Sequence, residues 1–176
     1  TLKLFKNLCD ANNTEKIITV ATAAVREAKN QQQFLTKVEQ EVGLDIKVLS
    51  GTDEGFYDYW GVANSIDEDE GLIMDIGGGS IELIWMKDRK IKESTSLTFG
   101  ALDLTQRFDL YDSITEEQEK KLKEFLQNAY QKVPWLSNLK HGQLIGVGGT
   151  LKNIARIDQR NKNYPLSILH NYQMSS

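Results

Sequence analysis

Residues 71–80 read Gly-Leu-Ile-Met-Asp-Ile-Gly-Gly-Gly-Ser, and the chain continues Ile81-Glu82-Leu83-Ile84-Trp85. An apolar run ends in an acid and three consecutive glycines, and a second apolar run of strand character follows. The pattern predicts a β-hairpin whose turn is made of glycine, with Asp75 at the end of its first strand. Such a turn lets backbone N–H groups converge on an anion and permits the anion a close approach. An acid beside it suits Mg²⁺, a hard cation that takes oxygen ligands and bridges to phosphate. The plainer reading is a hairpin turn that Asp75 merely caps.

Two common phosphate motifs are excluded by spacing. No Gly-x-x-x-x-Gly-Lys-Ser/Thr string occurs. Gly146-Val147-Gly148 begins like a dinucleotide fingerprint, but Leu151 stands where its third glycine belongs.

The chain has 176 residues, of which 40% are hydrophobic and 26% charged. That suits one globular domain with a real core, or one and a part. A single cysteine, Cys9, rules out an intrachain disulfide and fits a reducing cytoplasm. No run of about 20 apolar residues is present, so no membrane span is expected, and no signal peptide is visible. The first residue is Thr1, inside what reads as a helix carrying Leu2, Leu4, Phe5 and Leu8. The expectation is a piece of a longer protein.

A net charge of −4 argues against generic nucleic-acid binding. Residues 52–70 hold seven acids and no Lys or Arg, whereas residues 139–176 hold five bases, Lys140 among them, against Asp158. A basic end suits a polyanion, and scattered solvated charge explains it as well.

Strands are expected over 17–22 and 44–49, with a helix between them starting at Asn30 and stopping at Gly43. A helix should cover 52–63. Strands should run over 72–76 and over 81–86, with a turn at 87–90 and a further strand after it to about Thr98. Residues 101–109 read as helix. Ser113-Ile114-Thr115-Glu116 has a capping-box pattern, opening a helix to about Val133 with Leu122, Phe125, Leu126, Tyr130 and Val133 inward. A strand over 143–147 should lead through Gly148-Gly149-Thr150 into a final helix. Helices alternate with strands, and hairpins fall at the glycine turn and near Lys90, which favours α/β with a mixed sheet.

Four segments carry chemistry. Arg26, after Ala21-Thr22, offers a forked donor for phosphate oxygens or is a helix-surface residue. Glu54, after Ser50-Gly51, is placed to polarise a water, although acids in a first helical turn also satisfy the helix dipole. Asp75 to Ser80 form the glycine turn, with Glu82 two residues on. Gly148-Gly149-Thr150, between strand and helix, presents N–H groups to an anion or is only a tight turn.

As a set, Ala21-Thr22-x-x-x-Arg26, Ser50-Gly51-x-x-Glu54, Asp75-Ile76-Gly77-Gly78-Gly79-Ser80-Ile81-Glu82 and Gly148-Gly149-Thr150 resemble the exopolyphosphatase and guanosine-pentaphosphate phosphohydrolase family, Ppx/GppA. The tail Tyr164-Pro165 … His170-Asn171-Tyr172 also fits, so the resemblance runs from Thr19 to Tyr172. It implies the actin-like, ribonuclease-H-like fold, with two domains facing each other over a cleft. The family's first hairpin, Asp-x-Gly-Ser-Asn-Ser, is absent from this sequence. Residues 1–50 are therefore expected to be the end of a first actin-like domain and 51–176 the second, with a missing N-terminal domain completing the cleft.

By the same resemblance Glu54 is the catalytic base and Asp75 the Mg²⁺ ligand, with Glu82 in support behind it. Gly77, Gly78, Gly79 and Ser80 are the phosphate cradle, Arg26 a phosphate contact, and Gly148, Gly149 and Thr150 a third phosphate loop. Two positions depart from the pattern. Ile81 replaces a frequent Thr, removing a hydroxyl near the site, and Asn171 replaces a usual Gly at a turn that Asn can also make. The implied reaction is Mg²⁺-dependent hydrolysis of the terminal phosphoanhydride of polyphosphate. The alternative is pppGpp as substrate; a kinase of the same fold or a non-catalytic phosphate-binding domain are further rivals. Exposed apolar surface near residues 1–22 would favour a homodimer.

Overall fold

The computed structural model describes residues 1–139 and 142–174; Lys140, counted above among the bases, lies outside them. The chain divides into two compact units, Thr1–Ser50 and Gly51–Ser176.

The first unit comprises α1 (Leu2–Ala11), β1 (Thr19–Ala21), the short α2 (Ala23–Arg26), α3 (Gln31–Val42) and β2 (Ile46–Val48). β1 and β2 pair in parallel from Thr19↔Ile46 to Ala21↔Val48. A parallel pair needs a crossover of a dozen or more residues, which α2 and α3 supply. Both strands are shorter than their apolar pattern predicts, because the ladder runs over three residues only. α2 is anticipated only in the alternative reading of Arg26 as a helix-surface residue; four residues are too short to show a periodicity. α3 stops as expected at Gly43, whose φ of +67° is left-handed. Asn30 precedes α3, but its side chain forms no capping bond, contrary to expectation. Ala23, Val38, Leu44 and Leu49 are buried, whereas Leu4, Phe5 and Leu8 of α1 are exposed.

The second unit runs α4 (Gly51–Ala63), β3 (Gly71–Ile76), β4 (Ile81–Lys87), β5 (Lys90–Leu97), α5 (Ala101–Phe108), α6 (Glu116–Gln131), a 3-10 helix (Pro134–Asn138), β6 (Leu144–Val147) and α7 (Gly148–Asn161). Its sheet has the order β5-β4-β3-β6. The two hairpins are antiparallel and β6 lies parallel to β3, so the sheet is mixed, as the sequence pattern predicts.

Alternation along β3 and β4 builds two cores. Leu72, Met74 and Ile76 with Ile81, Leu83 and Trp85 face one side. There they join Phe99, Val133, Trp135 and the α6 residues Phe125, Leu126 and Tyr130. Trp135 keeps its indole N–H satisfied inside this cluster by donating to Thr95 Oγ1 at 3.0 Å. Ile73, Ile84 and Met86 face the other side, against Tyr59 and Val62 of α4 and Ile145 and Val147 of β6.

Two details of α6 differ from the sequence reading. The capping box is Thr115 with Gln118, not Ser113 with Glu116. Gln118 N donates to Thr115 Oγ1 at 3.3 Å, and Thr115 N donates to Gln118 Oε1 at 2.9 Å. Both strings fit the motif, but Gln118 Nε2 also donates to Phe108 O and Asp109 O at the end of α5. Only that register ties the two helices together. The helix also ends at Gln131 rather than near Val133. Val133 precedes Pro134, and a residue before proline is driven out of the helical region; its φ and ψ are −112° and 83°. Among the described residues, no helix is long and apolar enough to cross a membrane.

Candidate functional site

Asp75 and Glu82 are cross-strand partners at the glycine-turn end of the β3–β4 hairpin. They project from the sheet face that carries Ile73 and Ile84, the face under α4. The hairpin closes as expected: Gly77 N donates to Ser80 O at 3.0 Å. Among the described residues, the Gly78 and Gly79 amides donate to no protein acceptor.

Glu82 is almost fully buried, at 3% exposure. Its Oε1 accepts from Ser96 Oγ at 2.8 Å, a contact set by the β4–β5 register, which pairs the two residues. Burial pushes the Glu82 carboxyl up from its ordinary range; the Ser96 and Ser80 hydroxyls oppose this, and the charges of Glu54 and Asp75 add to it. Burial also raises Asp75, with Glu54 adding to the effect and Lys152 of α7 opposing it.

Glu54 lies in the first turn of α4, as predicted. Its charge acts on Asp75, Glu82 and Asp58, so the structure draws the predicted base and the predicted metal ligand into one cluster. The cluster has a fourth member that the sequence reading did not select. Asp58, one helical turn beyond Glu54, is half-buried, and its carboxyl is pushed up to about 7. Burial is the main cause, followed by Asp75, Glu82 and Glu54. The i, i+4 spacing of Glu54 and Asp58 was a usable signal. Lys152, four residues into α7, was likewise missed.

Gly148 opens α7 with a φ of +76°, and a Cβ there would stand 1.9 Å from Asp75 Oδ1. Glycine is thus required twice over, for its dihedral and for the carboxylate against it. Asp75 thereby sits beside the first turn of α7, whose N–H groups favour negative charge. Gly149 and Thr150 follow in that turn.

Other predicted positions fall elsewhere. Ile81 is 2% exposed in the α6-side core, on the face opposite Glu82. A threonine there would place its side chain in the core, so the expected loss of a hydroxyl near the site does not arise. Asn171 takes the left-handed conformation expected of it, with a φ of 57°. Arg26 belongs to the first unit. There its Nη1 donates to Leu49 O at 2.8 Å and its Nε to Glu27 Oε1 at 3.2 Å. A cavity of about 230 Å³ lined by Glu70, Leu72, Trp85 and Gln143 lies at the other end of β3 from Asp75.

The donor chemistry fits a hard divalent cation at Asp75. The groups are oxygen donors, and their mutual repulsion, which favours protonation here, would be relieved by positive charge. Among the described residues, no three acidic, His or Cys side chains form a ready-made metal cage.

The model of the Ppx/GppA phosphatase family matches residues 1–175. A bifunctional 3-dehydroquinate synthase/phosphatase of Fusobacterium nucleatum is 29% identical over 99% of this chain, which spans 27% of that protein. Among solved structures, an exopolyphosphatase from Cytophaga hutchinsonii superposes with a TM-score of 0.85 at 27% identity; 94% of this chain and 54% of that one are covered. The Aquifex aeolicus member of the Ppx/GppA family superposes at 0.70 with 35% identity, over 98% of this chain and 53% of the other. The chain thus spans about a quarter of the curated relative and about half of the solved ones. The fold is the actin-like α/β fold, and with the family model matched almost end to end, the chain belongs to the Ppx/GppA phosphatase family.

Proposed function

We propose that this chain is the catalytic-carboxylate half of an exopolyphosphatase, an enzyme that hydrolyses the terminal phosphoanhydride of inorganic polyphosphate and releases orthophosphate. One observation carries the reading. Four carboxylates, Glu54, Asp58, Asp75 and Glu82, gather on one sheet face at the end that bears the glycine turn, with its two uncommitted amides. Like charges in a half-buried place are costly. Function is the economical reason to keep them together.

In this reading Glu54 orients the attacking water and takes its proton. The Gly78 and Gly79 amides, with the first turn of α7 at Gly148, Gly149 and Thr150, donate to the phosphoryl oxygens as charge develops on them, while the Ser80 hydroxyl is engaged by Glu82. Asp75 would hold Mg²⁺ together with phosphate oxygens and water, and Glu82, fixed by two serine hydroxyls, would keep negative charge behind it. The metal would supply charge neutralisation on the phosphoanhydride. Arg26 is assigned a neighbouring phosphate by the family resemblance alone. The rest of the cleft is assigned to an N-terminal domain outside this chain, on which the exposed Leu4, Phe5 and Leu8 would pack, and the whole enzyme to the cytoplasm.

The test is phosphate release by the full-length protein from long-chain polyphosphate and from pppGpp, each with and without Mg²⁺. Preferential, Mg²⁺-dependent release from polyphosphate supports the reading. Preference for pppGpp would move the substrate assignment to the nucleotide, and release from neither would overturn the hydrolase.

A further inference from the structure

We propose that the first turn of α5 sets the direction of the glycine-turn amides, with Gly100 as its positioning residue. The link to turnover rests on the hydrolase reading above. Gly77 O accepts from Ala101 N at 2.8 Å, and Gly78 O accepts from Leu102 N at 3.0 Å and from Asp103 N at 3.3 Å. These are first-turn N–H groups, which a helix leaves without partners of its own, and no side chain caps α5. An exposed helix N-terminus would bind an anion. This one is already filled by two carbonyls.

The consequence follows from peptide geometry. Among the described residues no peptide bond is cis, and in a trans peptide C=O and N–H point in opposite directions. Anchoring the carbonyls of Gly77 and Gly78 on α5 therefore turns the N–H groups of Gly78 and Gly79 away from it, side by side. The N–H of Gly77 is taken by Ser80 O, so these two are the ones left to a ligand.

Gly100 makes the approach feasible. A Cβ on it would lie 2.4 Å from Gly77 O, 2.6 Å from Gly78 C and 2.7 Å from Gly78 O. All three are backbone atoms of the turn itself, with no side-chain torsion to swing them aside. The requirement is space rather than conformation, since the φ of Gly100, −141°, is open to any residue. Gly100 touches no phosphate in this scheme; it acts through the turn.

The experiment uses the full-length enzyme. Gly100→Ala is compared with Gln106→Ala, exposed on the same helix, with far-UV circular dichroism and melting as folding checks. The expected result is a loss of roughly 10²-fold or more in kcat on polyphosphate for Gly100→Ala, the scale of one misdirected oxyanion donor, and near-normal kcat for Gln106→Ala. Selective ¹⁵N-glycine labelling reads the turn directly. In Gly100→Ala the Gly78 and Gly79 amide resonances should be displaced before any ligand is added, and their response to orthophosphate weakened. Ala101→Pro is the second variant. Proline suits a first helical position but deletes the donor to Gly77 O, so the same loss is expected should Gly100→Ala fail to fold. Wild-type kcat/KM in a folded Gly100→Ala protein, or unmoved Gly78 and Gly79 resonances, overturns the clamp. A wild-type enzyme inactive on both polyphosphate and pppGpp overturns the hydrolase reading instead, and the glycine resonances then decide the clamp by themselves.

Discussion

The β3–β4 hairpin has two faces made from the same thirteen residues, Gly71–Ile76 and Ile81–Lys87. Toward α6, Leu72, Met74, Ile76, Ile81 and Leu83 stay apolar up to the turn. Toward α4, Ile73, Ile84 and Met86 give way to Asp75 and Glu82 in the last positions before the turn. The apolar face shows what this sheet does when only packing acts on it. The other face departs from that pattern at one end, where helix N-termini and serine hydroxyls are at hand. The departure carries a cost, visible as three carboxyls held above their ordinary range, chiefly by burial. Unpaired buried charge is otherwise avoided, so the difference between the faces marks chemistry rather than architecture.

The largest effect should come from the polar face. Glu54→Gln in the full-length enzyme is expected to lower turnover roughly 10²–10⁴-fold with the melting temperature preserved. Near-normal turnover would break the comparison, because the cluster would then be structural.

On the opposite face the signs are exchanged. Leu83 is 1% exposed, and Leu83→Ala should cost about 2–5 kcal/mol of stability in urea unfolding. The kcat per folded molecule should change little. A smaller effect sharpens the same point at the turn itself. Ile81→Thr restores the residue type of the family pattern, yet it puts a hydroxyl into the α6-side core. It should cost about 1–3 kcal/mol, the price of an unbonded hydroxyl, and raise turnover not at all. A gain in kcat would mean that position 81 serves the polar face.

The smallest effect is a pH dependence. The Asp58 carboxyl is raised from its ordinary value of 3.8 to about 7 in the folded protein. Between those values the native state binds more protons than the unfolded chain, so stability falls as pH rises through this window. The contribution is complete below pH 4 and lost above about pH 7. Asp58→Asn should flatten the slope, matching wild type near pH 4 and exceeding it near pH 8 in melting temperature. Parallel profiles for the two proteins would show that Asp58 is solvated and outside the cluster.

Much of this was legible in the residues. The glycine triplet predicts the hairpin, and a tight turn at 77–80 places Asp75 and Glu82 opposite each other by count alone. The αL positions at Gly43 and Asn171 follow from residue type. Less was legible where two registers compete. Ser113–Glu116 and Thr115–Gln118 satisfy one motif equally, and the contacts of Gln118 with the end of α5 decide between them. Asp58 was passed over because the buried face of α4 is chosen by the sheet it packs on. Gly100 carried no local sign at all, since its neighbour is a turn more than twenty residues earlier.

The sequence by itself determined what is local: strand and helix periodicity, the glycine turn, and the set of motifs that mark the family. These rest on backbone preferences and short-range spacing, which are complete within a few residues. The tertiary structure alone decided which carboxylates share a face, that Ile81 belongs to the core, and that α5 holds the turn's carbonyls. Each of these is a contact between segments far apart in the chain, fixed by close packing and by the need to satisfy buried polar groups.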